Sequence, residues 1–137
     1  VAVFLDTGVL VAAYNAQDQE RAKAGSILRR AFNGEFGTVY TSQYVIDEGT
    51  TLLHARSKNR ALSQSFLKKC LESKGLFTIL GVSETNFVDT SKEYFKQEEL
   101  SFTDCSHVVL MRQHGIKNLA TFDSGFKRVE GIRIVDQ

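Results

Sequence analysis

The chain has 137 residues, 42% of them hydrophobic and 24% charged, the proportions of an ordinary globular protein with one core. Its 17 Lys+Arg against 16 Asp+Glu leave a net charge of +1, which excludes a strongly basic electrostatic binder but not contact with phosphate through a bound cation. Only two cysteines, Cys70 and Cys105, occur, which excludes a zinc ribbon or a secreted disulfide scaffold and points to a reducing cytoplasm.

The first residues, 1–5, form a near-continuous apolar run, the mark of a strand covered on both faces. The run is too short for a signal peptide, and the missing initiator Met is expected of a trimmed or processed start. No apolar run approaches the roughly 20 residues of a membrane span. Residues 8–15 and then 19–32 have helical spacing, with Ala24, Ile27, Leu28 and Ala31 on one face of the second. Residues 37–41 are β-branched and aromatic and give a second strand. Ser42 is placed to cap a helix running to about Ser57, and another covers roughly 60–73, ended by Lys74-Gly75. A third strand spans 76–80. Ser83 opens a helix to about Gln97, Ser101 opens one to about His114, and Gly115 stops it. Strands at 118–122 and 132–135 complete the chain. Both cysteines fall in apolar helical patterns and are expected as buried thiols. No repeat, linker or low-complexity tract divides the chain, and proline is absent, so 1–137 reads as one domain. Strands alternating with helices imply right-handed crossovers and a parallel sheet between helical layers.

Ligands of such folds gather at the carboxyl ends of the strands. Asp6 follows the first strand immediately, and Asp123 follows the fourth. Asp104 lies in the first turn of the helix opened by Ser101, and Glu48 lies near the start of the helix after strand two. Each has a structural explanation. Asp6 can be an N-cap, Asp104 can form a capping box with Ser101, and Asp123 can serve a turn with Ser124-Gly125. Glu48 can be a solvated helix charge, with Asp47 an equally acidic neighbour. Their joint placement on one rim is what points to function, because four bare acids would repel one another and a dication removes that repulsion. Mg²⁺ suits oxygen ligands, and a pair of such ions ~4 Å apart can clamp a phosphodiester.

At these residues the sequence resembles the PIN-domain family, and within it the VapC-type toxins. The matching pieces are Val3-Phe4-Leu5-Asp6-Thr7, Ile46-Asp47-Glu48, Ser101-Phe102-Thr103-Asp104-Cys105 and Leu119-Ala120-Thr121-Phe122-Asp123-Ser124-Gly125-Phe126, in order over nearly the whole chain. The resemblance implies a three-layer α/β/α sandwich with a central parallel sheet of about five strands. It implies a Mg²⁺- or Mn²⁺-dependent endoribonuclease hydrolysing RNA, the toxin of a VapBC-type pair. It assigns catalysis and metal binding to Asp6, Glu48, Asp104 and Asp123, with Thr121 as a supporting hydroxyl. Asp6, Asp104 and Asp123 would hold the ion at the scissile phosphate, and Glu48 a second ion or the attacking water. A small antitoxin protein and a homodimer are implied as partners. Gly8 departs mildly from the family, which often has Asn or Ser there.

Lys127 and Arg128 follow Asp123 and are candidates to hold RNA phosphate. His107, one turn beyond Asp104, can approach the same rim, but the reading adopted is an ordinary helix residue. Arg29-Arg30 and Lys68-Lys69 read as solvated helix faces, and the aromatics as core. Two other readings compete: a PIN nuclease of RNA processing, and a non-catalytic PIN-fold module that binds RNA or protein. A phospho-receiver domain ranks lower, since the third strand ends Ile79-Leu80-Gly81 without an aspartate.

Overall fold

The computed structural model describes residues 1–73 and 75–135. Lys74, read from the sequence as part of a helix stop, therefore lies outside the described residues. Five strands form one parallel sheet: β1 Ala2–Leu5, β2 Thr38–Ser42, β3 Thr78–Leu80, β4 Asn118–Ala120 and β5 Arg133–Val135. Their order across the sheet is β3-β2-β1-β4-β5. The apolar run of β1 takes the centre, with Phe4 in register with Tyr40 on one side and Leu119 on the other. Val3, Phe4 and Leu5 are wholly buried, each stabilising the fold by roughly 2 kcal/mol.

Six helices cover the sheet: α1 Thr7–Tyr14, α2 Arg21–Phe32, α3 Gln43–Ser57, α4 Arg60–Leu71, α5 Glu84–Lys96 and α6 Phe102–Gln113. The chain steps from β1 to β2 to β3 in one direction and then returns past β1 to β4 and β5. Right-handed crossovers therefore place α1–α4 on one face and α5–α6 on the other. The contacts agree, since α1 packs on α2 and α3, α3 on α4, and α5 on α6. This is the α/β/α sandwich read from the sequence.

Local signals set the helix ends. The Ser42 hydroxyl accepts from the Val45 amide at 3.2 Å, and Ser83 and Ser101 each close a capping box with the residue three positions on. Gly115 ends α6 at φ 66°, which lets the Ile116 amide return to the Met111 carbonyl at 2.8 Å. Two departures from the sequence reading matter. Helix α1 begins one residue earlier than the spacing suggests, at Thr7, because the Asp6 carboxylate accepts the Thr7 amide at 2.7 Å. Strand β4 stops at Ala120 rather than 122, and the turn expected at Asp123 extends into a 3₁₀ helix, Ser124–Arg128.

Helix α6 is tied to α5 by polar bridges. The Arg112 guanidinium meets the buried Glu93 at 2.8 Å, Gln97 donates to the other Glu93 oxygen at 2.6 Å, and Asn86 donates to Gln113 at 2.7 Å. These bonds satisfy a buried carboxylate and pin the last turn of α6 to α5. Strand order reverses between β1 and β4, which opens a crevice at their carboxyl ends.

Candidate active site

Asp6 leaves β1 at that crevice, and its amide still pairs with the Ala120 carbonyl at 3.0 Å. The residue is 7% exposed, and its carboxylate takes three hydrogen bonds. One oxygen accepts the Thr7 amide at 2.7 Å and faces His107 Nε2 at 3.0 Å; the other accepts the Thr121 hydroxyl at 2.6 Å. Burial pushes the Asp6 pKa up, but His107, Thr121 and the Thr7 amide together outweigh it and hold the group below its ordinary value of 3.8.

Asp104 closes the capping box at the start of α6. Its amide donates to Ser101 Oγ at 3.1 Å, and its carboxylate accepts the Ser101 amide at 3.2 Å. Half-burial and the negative charge of Asp6 raise its pKa, against the opposing pull of Ser101 and His107. Oxygens of Asp6 and Asp104 and a nitrogen of His107 all lie within 4.8 Å of one another.

His107 corrects the sequence reading, which allows that it can approach this rim but adopts an ordinary helix residue. It is fully buried, with its ring tilted against Phe4 at 4.8 Å and stacked near Phe126 at 6.4 Å. Spacing gives the approach, since residues three apart on a helix share a face, but it could not show that Asp6 is the partner.

The remaining sequence candidates sit around this cluster. Thr121 is buried, and while its hydroxyl donates to Asp6 its oxygen accepts the Asp123 amide at 3.0 Å. Asp123 caps the 3₁₀ helix, accepting the Gly125 amide at 2.8 Å. The carboxylates of Asp123 and Glu48 are not part of the Asp6–Asp104–His107 cluster. Glu48 is half-buried on α3 and has no hydrogen bond or ion pair among the described residues. Lys127 is exposed, and the exposed Arg128 lies 3.6 Å from Glu99. The capping roles of Asp6, Asp104 and Asp123 are thus all present; for Asp6 and Asp104 they coexist with convergence, while Asp123 and Glu48 stay outside the cluster.

The donor set fits a dication. Two carboxylates are pressed together at a half-buried rim, where a cation would remove the repulsion that raises the Asp104 pKa. The buried Thr7 hydroxyl beside Asp6 has no hydrogen-bond partner among the described residues, a further polar group left unsatisfied at this end of β1.

A family model described as PIN domain matches residues 3–132. A VapC ribonuclease of Archaeoglobus fulgidus is 25% identical over 129 residues, covering 92% of this chain and 80% of that protein. The 23S rRNA-specific endonuclease VapC20 of Mycobacterium tuberculosis is 28% identical over 130 residues, covering 90% of this chain and 91% of the relative. The crystal structure of VapC20, titled a Sarcin-Ricin loop cleaving toxin, superposes with a TM-score of 0.82 at 24% identity, covering 98% of this chain and 99% of the other. VapBC2 from Rickettsia felis, bound to a DNA fragment from its promoter, gives 0.72 at 18% identity, covering 98% of each chain.

Proposed function

The chain belongs to the PIN domain family, and from that premise we propose that it is a metal-dependent endoribonuclease, the toxin of a VapBC-type pair. The observation that carries the reading is the convergence of Asp6 and Asp104 within 4.8 Å at the sheet's switch point. Similarity to a VapC ribonuclease and to VapC20 supports RNA as the substrate class. Similarity of fold to VapBC2 supports an antitoxin as partner.

Asp6 and Asp104 would hold a divalent cation, Mg²⁺ or Mn²⁺, with Asp123 and Glu48 completing the acidic quartet. When bound, the ion supplies charge neutralisation for the phosphate and a lowered pKa for water. The protein's own part is positional. Thr121 fixes one oxygen of Asp6, the capping box fixes Asp104 on α6, and Glu48 offers an unpaired carboxylate from α3 to orient water. Lys127, exposed beside the Asp123 turn, would meet an RNA phosphate, and Arg128 would do so by leaving Glu99. A homodimer is part of the same proposal. Phe87, Val88, Tyr94 and Phe95 are exposed on α5, three of them about half and Phe95 almost wholly, among acids in its first half (Glu84, Asp89) and lysines in its second (Lys92, Lys96). Two copies packed antiparallel would cover that face and bring opposite charges together.

Among the described residues no helix is long and apolar enough to cross a membrane. The test is cleavage of structured and single-stranded RNAs with Mg²⁺, Mn²⁺ or EDTA, comparing the unaltered protein with Asp6→Asn. Metal-dependent cutting lost in the variant is the expected result. Equal cutting by a folded Asp6→Asn protein would remove the assignment.

A further inference from the structure

The buried hydrogen bonds around Asp6 fix where the protons are. Thr121 Oγ accepts the Asp123 amide, so its own proton is free to go to Asp6. The Thr7 amide can only donate. A carboxylate oxygen is an acceptor, and with the Thr7 amide and the Thr121 hydroxyl donating to its two oxygens the group is an acceptor at its remaining contact as well. The partner at that contact is His107 Nε2, 3.0 Å away, which must therefore carry a proton. On the other side of the ring, Ser106 Oγ donates to the Thr103 carbonyl at 2.5 Å and stands 3.5 Å from Nδ1. With its proton so committed, Ser106 Oγ could only accept from Nδ1–H, and at 3.5 Å that contact is far weaker than the 3.0 Å contact of Nε2 with a carboxylate. A protonated Nε2 has no lone pair for a metal, so the imidazole, although within reach of the cluster, is a donor to Asp6 and not a ligand.

We propose that His107 is a positioning residue: its Nε2–H and the Thr121 hydroxyl grip opposite oxygens of Asp6 and lock the carboxylate in the plane that faces Asp104. The inference rests on the metal-dependent reading above and deepens it. The ring is suited to the task because it is fully buried and packed against Phe4, with Phe126 stacked nearby, which restricts its motion. Hydrogen bonds of this kind, made behind a metal ligand, typically govern metal affinity by about 10–100-fold.

The experiment measures Mn²⁺ binding without RNA, from loss of the free-ion electron paramagnetic resonance signal, in the unaltered protein and in His107→Leu, His107→Asn and His107→Gln. Gln can place an amide N–H near the position of Nε2; Leu and Asn cannot. A loss of about 10-fold or more is expected for Leu and Asn, with Gln within about threefold of the unaltered protein. Cleavage by Leu or Asn should recover at high Mn²⁺, a shift in metal dependence that a merely structural role would not produce. Unchanged Mn²⁺ affinity in a folded Leu or Asn variant overturns the inference, as does a Gln variant as weak as Leu. So does a directly coordinated nitrogen in the pulsed spectrum of the bound ion. If instead Asp6→Asn binds Mn²⁺ as well as the unaltered protein, the proposed function fails and not merely the role of His107.

Discussion

Replacing Asp104 with Asn should make the metal-free protein more stable while it destroys the site. Asn at this position keeps the cap, because Asn86 already closes the same box with Ser83 at the start of α5. What the change removes is a negative charge lying within 4.8 Å of the Asp6 carboxylate. At that distance and an effective dielectric of about 20, two unit charges repel by about 3.5 kcal/mol. Asp104 is only half-buried, and solvent screening leaves on the order of 1 kcal/mol, worth about 4 °C in Tm for a chain of this size. The sign with pH follows from the raised pKa of Asp104. A raised carboxyl pKa means ionisation costs more in the folded state than in the unfolded chain. That cost is absent below the ordinary value of 3.8 and grows as pH rises through the folded-state pKa. Near pH 7 with EDTA, Asp104→Asn should therefore melt above the unaltered protein, and the gap should close in acid. Adding Mn²⁺ should reverse the order, because only the intact pair gains stability from the ion. Thermal melts at two pH values, with and without Mn²⁺, measure all of this. A variant that melts below the unaltered protein in EDTA, or one that Mn²⁺ stabilises equally, would refute the like-charge account.

Two further outcomes follow from neighbouring geometry. Thr121→Val keeps the shape of the side chain but deletes a charge-assisted hydrogen bond to Asp6 and the acceptor for the Asp123 amide. Chemical denaturation should show a loss of roughly 1.5–3 kcal/mol near pH 7. Because the Asp6 pKa is lowered in the fold, that stability is present above its ordinary value of 3.8 and is lost as pH falls through the folded-state value. A variant equally stable at pH 7 would show that Thr121 does not hold Asp6. Cys70 and Cys105 are buried free thiols whose pKa values are pushed up to about 11, both chiefly by burial. Neither should react with iodoacetamide in the native protein at about pH 8, while both should react in denaturant. Rapid native labelling, counted by mass, would contradict the burial of these two helix faces.

Much of the architecture follows from short-range features of the chain. The apolar run of β1, the serines that cap α3, α5 and α6, and the glycine that stops α6 each act within about one helical turn. Their effect is therefore readable from neighbours in the sequence. The acids at strand ends were legible for the same reason, since a parallel sheet sends every β1 and β4 terminus to one rim. The structural roles expected of Asp6, Asp104 and Asp123 were equally local, and all three are present.

Which groups meet at the rim was not local. His107 reaches Asp6 across 101 positions, and Thr121 across 115. A histidine on an apolar helix face carries the same local signal whether it packs in a core or grips a carboxylate. Only the return of α6 and β4 alongside β1 gives it a partner. The end of β4 shows the same limit. Phe122 continues the apolar pattern, yet Thr121 leaves the sheet because its hydroxyl is better satisfied by Asp6 and the Asp123 amide than by water. The sequence alone determined the layers, the caps and the rim on which the acids fall. The tertiary structure decided that Asp6 and Asp104 share one buried cluster with His107, because hydrogen bonds between distant segments form only once the sheet has brought them together.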